Sequence, residues 1–287
     1  MTKSLKKNSF FNILYNAANV LFPLLTSMYV ARVLLTDGIG RVAYAKNITS
    51  YFIIIATLGL PTYGVREIAK VSNDRTSTDK VFSELFSINA LSTMISLILY
   101  LALILAVPRF HSEYLLFLCC GIQLVLNVFN IDWLYQGFEE YTYISIRSIA
   151  IKIFAFLCVI IIVKSKSDYI WYALISSLAV SANYIFNIIH ARKYIKISFK
   201  NLNLRRHMKP LVILAASVFL STAYSKTDIT MLGIMSTESA TGIYSNAHKI
   251  IDIVITLCAS ISAVFLPRLS YYYDTNNKNA SVPMLWW

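Results

Sequence analysis

Charge is what this chain most lacks. Asp, Glu, Lys and Arg supply 14% of its 287 residues, against about 25% in an ordinary water-soluble domain. That deficit leaves too little polar surface to face water, which excludes a soluble enzyme. Eight glycines and six prolines are too few for a collagen-like or low-complexity chain. The four cysteines, Cys119, Cys120, Cys158 and Cys258, all lie inside apolar stretches. They offer neither a disulfide framework nor metal-ligand spacing and read as small buried hydrophobes. No catalytic residue, metal site or cofactor is implied.

What is present is apolar length. Apolar residues make up 57% of the chain and the mean hydropathy is +0.61. A helix needs about 20 predominantly apolar residues to cross a bilayer. Eight runs qualify, at 10–34, 42–61, 84–107, 113–135, 143–163, 169–190, 211–233 and 241–266. Barrel strands would instead show alternating segments of about ten residues. The sequence therefore predicts an all-α integral membrane protein, a polytopic bundle of eight transmembrane helices. The first run reads as a span rather than a cleaved signal, being long and lacking a small-residue cleavage site.

The net charge of +12 does not point to nucleic acid, because the basic residues gather between the apolar runs. Fourteen Lys and Arg lie in one set of segments: the N-terminus 1–9, the stretch 66–80, and the loop 191–210. Five occupy the alternate loops, Arg32, Arg41, Arg109, Lys164 and Lys166. This asymmetry predicts a cytoplasmic N-terminus and a cytoplasmic 191–210 loop.

Polar residues fall in stripes along the runs. Asn8, Asn12, Asn16 and Asn19 recur every three or four residues, which keeps them on one helix face. Asn127 and Asn130 do so in the fourth run, and Asn183 and Asn187 in the sixth. Cations also occur within the runs, at Lys46, Arg147, Lys152 and Lys249. Ionisable groups at depth are costly and normally face a bundle interior or a watery cavity. Asn12, Asn16, Asn19, Lys46, Asn127, Asn130, Arg147, Lys152, Asn183, Asn187 and Lys249 are thus candidates to line a substrate cavity. Asp228 and Asp252 are candidates for ion coupling or for structural ion pairs, since Lys249 and Asp252 are spaced i, i+3. The plainer alternative is that such stripes hold helix to helix through hydrogen bonds.

Five segments then read together. FPLLTSMYVARVLLTDGIGRVAYAK at 22–46, YGVREIAK at 63–70, DWLYQGFEEY at 132–141, KTDITMLG at 226–233 and TGIYSNAHKI at 241–250 resemble bacterial polysaccharide flippases of the O-antigen (Wzx) type. The resemblance covers essentially residues 8–270 and places the chain in the multidrug/oligosaccharidyl-lipid/polysaccharide (MOP) exporter superfamily. It implies a MATE-like fold of two related bundles about a central cavity, in the bacterial inner membrane, with both ends cytoplasmic. It also implies movement of an undecaprenyl-pyrophosphate-linked oligosaccharide between leaflets by alternating access, for O-antigen or lipopolysaccharide biosynthesis. A polysaccharide polymerase and a chain-length regulator are the implied protein partners, and coupling to H+ or Na+ stays open. An offset near 202 residues aligns Gly40 with Gly242 and Ala45 with Ala247.

On this reading 10–190 is a first six-helix bundle, 191–210 the basic inter-lobe loop, and 211–266 the first two helices of a second bundle. The tail 267–287, ending NKNASVPMLWW, reads as truncated or frameshifted, so residues 1–287 are not expected to flip substrate alone. Alternatives are an ion-coupled multidrug exporter, a membrane polymerase or glycosyltransferase, and a non-transporting scaffold. Against an enzyme, the short outer loops carry only Asp37, Glu113, Asp168 and Glu238 as acids. The charge asymmetry is directly testable. In an otherwise cysteine-free chain, Lys200→Cys should resist an impermeant thiol reagent in intact cells and react once the cells are opened.

Overall fold

The computed structural model describes residues 5–198, 202–252, 254 and 255, and their side chains except at 5–13 and 16. The side chains of Asn12 and Asn16, the end of the eighth run and the 267–287 tail lie outside the described residues. No strand occurs among those described. The described residues through Ser245 belong to one unit and those from Asn246 to a second.

The first helix, α1 (Leu5–Thr57), contains the first two apolar runs and breaks at Leu35, where φ is 55° and ψ −168°. The second run was expected from 42, yet helix resumes immediately after the break. Hydropathy detects only the apolar middle of a span, whereas polar Thr36, Asp37 and Arg41 form its first turns. The Leu35 end is labelled the outer end of the bundle, following the orientation expected from the charge asymmetry.

At the inner end, α2 (Leu60–Val71) occupies what the sequence presents as a loop. It is amphipathic: Leu60, Gly64 and Ile68 recur every four residues and are buried, while Arg66 and Lys70 are exposed. Asp74 caps α3 (Arg75–Ala106), accepting from the backbone amides of Thr76 and Ser77 at 3.1 and 3.2 Å. Bonds from the Ser77 and Thr76 side chains hold its carboxyl below the usual range.

The fourth run, 113–135, is not one helix. After α4 (Pro108–Ser112) it becomes α5 (Tyr114–Leu126), a single 3₁₀ turn at Asn127–Phe129, and α6 (Asp132–Gly137). Broken backbone at membrane depth must be satisfied within the protein. Asn89 does this, its Nδ2 donating to the carbonyls of Asn127 and Val128 at 3.0 and 3.1 Å. The chain continues as α7 (Tyr141–Ile162), α8 (Tyr169–Ala191) and α9 (Arg205–Met235), with a further helix starting at 238. Five described helices are long and apolar enough to cross a membrane, as an all-α polytopic protein requires.

α8 packs on α5 and α7, and α1 packs on α3, α5, α7 and α9. Met94, Ile98, Leu105, Phe154 and Ile161 are exposed apolar side chains on α3 and α7, as lipid contact demands. Two apolar cores sit at the ends. The outer gathers Tyr44, Tyr100, Phe110 and Phe117, and the inner Phe82, Trp133, Leu134 and Tyr135. Polar side chains concentrate between them.

At the outer end two backbones nearly touch. A Cβ on Gly40 would lie 1.8 Å from the carbonyl oxygen of Glu238, and one on Gly242 would lie 1.9 Å from that of Thr36. Both pairs, Thr36 with Glu238 and Gly40 with Gly242, are separated by the same 202 positions, so the contact is reciprocal. Only glycine admits this approach. Gly40→Ala should therefore lower stability by at least about 1–3 kcal/mol, read as an earlier thermal transition in detergent. Ala43→Ser on the same helix should change it little.

Candidate functional site

The polar middle of the bundle is organised around one guanidinium. Arg147, on α7, is 9% exposed. Its Nη2 donates to Asp132 Oδ1 at 2.7 Å, its Nε to Asn183 Oδ1 at 3.0 Å, and its Nη1 to Asn187 Oδ1. Asn187 Nδ2 closes the ring by donating to the same Asp132 oxygen at 2.9 Å. Tyr143 lies beneath the guanidinium, 5.0 Å from its carbon. The helix break positions the acid: Asp132 opens α6 and turns towards α7 and α8.

One turn or so along α7, Lys152 donates to Asn19 Oδ1 and lies 5.4 Å from the ring of Tyr15. These groups line a cavity of about 160 Å³, walled also by Val180 and Tyr184. It presents a fixed cation pair, one carboxylate, amides and phenols. Such a set can hold an anionic group on the lysine and exchange hydrogen bonds with hydroxyls.

Of the residues singled out in the sequence, the structure brings Asn19, Arg147, Lys152 and Asn183 to this cavity, with Asn187 behind it. Asn127 is buried in the helix break, its Nδ2 donating to Asn89 and Thr93. Asn130 donates to Asn127 Oδ1 at 3.2 Å. Lys46 faces a separate cavity nearer the outer end; ten residues of helix precede it, so it lies deeper than a span starting at 42 implied. Asp228 accepts from the Tyr244 hydroxyl and from the amide of Ile229. In the unit beginning at Asn246, Lys249 donates to Asn246 Oδ1 at 3.3 Å, and Asp252 lies 3.3 Å from His248 Nδ1. Among the described contacts, Lys249 meets an amide and Asp252 an imidazole on the same helix.

Sequence reasoning missed Asp132 and Tyr15 as site members. Asp132 stands in the quoted DWLYQGFEEY segment, fifteen positions before Arg147 across a short turn, which is the signal that could have found it. It also missed Glu84, fully buried in α3. Glu84 accepts from Arg206 at 2.5 Å, from His207 at 2.9 Å and from the amide of Asn203 at 2.8 Å. That cluster ties Asn203 and the start of α9 to the inner end of α3.

A family model described as polysaccharide biosynthesis protein matches residues 5–272. The chain belongs to this family. Two relatives share the name "Putative O-antigen transporter". The one from Escherichia coli (strain K12) is 25% identical over 277 residues, covering 93% of this chain and 65% of its own length. The one from Shigella dysenteriae is 23% identical over 281 residues, covering 96% and 70%. The chain thus spans about two-thirds of the length of these curated relatives. No solved structure matches it.

The Arg147 ring has a measurable consequence. Asp132→Asn strands a buried guanidinium and should cost about 3–5 kcal/mol. Adding Arg147→Met should recover much of that loss, because the pair is then removed together. Thermal unfolding of the purified single and double variants checks this; additive losses would show that the two side chains act independently.

Proposed function

We propose that this chain is a component of the transporter that moves lipid-linked oligosaccharide repeat units across the bacterial inner membrane, from cytoplasmic to outer leaflet, without covalent chemistry. The carrier lipid is undecaprenyl pyrophosphate, and the product serves surface polysaccharide or O-antigen assembly. The family membership supports polysaccharide biosynthesis as the setting, and the names of the relatives support transport as the step. The observation that carries the reading is the Lys152–Arg147 cavity at mid-depth. There a diphosphate finds a cation not engaged by a carboxylate, while sugar hydroxyls find Asn19, Asn183 and the tyrosines. A drug exporter would be better served by an aromatic, uncharged chamber.

The bundle 10–190 works in this reading as one lobe of an alternating-access pair, with 211–266 contributing to the other. The N-terminus and the 191–210 loop face the cytoplasm. A polymerase and a chain-length regulator would take over the repeat unit once it reaches the outer leaflet.

Replacement of Lys152 tests the reading in the protein's own cells. Lys152→Gln should reduce surface polysaccharide about tenfold and build up lipid-linked repeat units on the cytoplasmic face. Lys152→Arg, which keeps the charge, should retain part of the export. Normal surface polysaccharide from a stable Lys152→Gln protein would overturn the assignment.

A further inference from the structure

Two cavities lie end to end along α8. The inner one, already described, takes Val180, Asn183 and Tyr184 from that helix. The outer one, of about 370 Å³, takes Ser176, Ser177 and Val180. Val180 belongs to both walls and is 43% exposed. At 1.5 Å per residue, Ser176 and Asn183 are about 10 Å apart along the axis. One valine is therefore the rung between two polar chambers.

The outer chamber is cationic. Lys46 reaches it from α1 and Lys226 from α9, with Ser50 and Gln123 beside them, and no acidic residue among those described lines it. Lys226 Nζ lies 3.4 Å from Ser50 Oγ. Lys46 sits 4.8 Å from the centre of the Tyr172 ring, and no carboxylate or hydrogen-bond acceptor among the described residues pairs with it. The two arginines nearby are treated differently: Arg147 has Asp132, and Arg41 has Glu113 and Glu238. An ammonium at depth that faces a cavity, with only an aromatic face for company, is complementary to an anion. Lysine serves phosphate as a point charge, and the hydroxyls and amide around it supply hydrogen bonds.

We infer that the Lys46 chamber is a second oxyanion station, which receives the phosphate-class group of the lipid-linked substrate after it passes Val180 from the Arg147–Lys152 cavity. This rests on the transport reading above and adds a defined intermediate stop to it. A headgroup leaving one cation then meets another about two turns of α8 further out, instead of crossing bare apolar wall.

The test is a protection footprint on the full chain, purified in detergent, with its own four cysteines changed to serine. Ser148→Cys reports the inner cavity and Ser176→Cys the outer. The probe is farnesyl diphosphate, a soluble polyprenyl diphosphate, run beside inorganic pyrophosphate. Farnesyl diphosphate should slow thiol modification at both positions, at tenfold or more lower concentration than pyrophosphate. Lys46→Gln should abolish protection at 176 and leave it at 148, while Lys46→Arg retains both. If Lys46→Gln does not fold, Gln123→Leu replaces it, with protection at 176 weakened several-fold. Protection at 148 alone would overturn the second station and leave the transport reading intact. Protection at neither position would remove both. Equal protection by pyrophosphate would assign the chamber to free anion and overturn its place on the lipid path.

Discussion

A buried guanidinium needs all its charge met by the protein, and Arg147 obtains this from two other helices at once. Asp132 from α6 and Asn183 and Asn187 from α8 converge on one side chain of α7. In a medium without water, such a ring is high-stakes: fully satisfied it specifies one arrangement, and half satisfied it opposes folding. It fixes α7 against α8 and sets the direction in which α6 leaves the broken fourth span. The cavity beside it owes its walls to that arrangement. So does the placement of Lys152, which stays half-buried beside Asn19 and Tyr15 with no carboxylate partner among the described residues.

The ends of the bundle are held by different means. At the inner end Glu84, inside α3, anchors Arg206, His207 and the backbone of Asn203. The amides of Lys196 and Ser198 bind Asp79 and Ser83 of the same helix. The described residues on either side of 199–201 are therefore tied to α3. At the outer end Arg41 joins Glu113 to Glu238, and Gly40 and Gly242 bring their backbones together. Hydrogen bonds from Asn47 to Thr230, at 2.7 Å, and to the Lys226 carbonyl, at 3.1 Å, join α1 to α9 further towards the middle. For a protein proposed to work by rocking one lobe against another, that seam of polar contacts and glycines is the part that can separate without exposing a large apolar core.

How much of this was legible in the sequence depends on the range of the forces involved. Membrane class, all-helical fold and family could be read directly, because bilayer thickness imposes a length on every span and because motif order is a property of the chain. The charge asymmetry is likewise one-dimensional, since it counts residues between runs. The amphipathic α2 was hidden in a loop, although its every-four pattern of Leu60, Gly64 and Ile68 was there to be found. The break in the fourth span was not legible at all. Hydropathy averages across Asn127, and the group that makes the break tolerable, Asn89, comes from another helix.

The site divides along the same line. Composition and spacing picked out Asn19, Arg147, Lys152 and Asn183 as polar residues that lipid would not accept, and the structure collects them about one cavity. They could not separate these from Asn127, equally polar and equally periodic, which closes a helix break instead. Nor did they assign Asp132 to Arg147, and they could not show that Lys46 and Lys226 share a chamber. The sequence by itself determined which residues must avoid lipid, because transfer cost is a property of each side chain. Which of them satisfy one another, and which are left facing a cavity, only the tertiary structure decided. Those outcomes depend on contacts between helices that lie far apart along the chain.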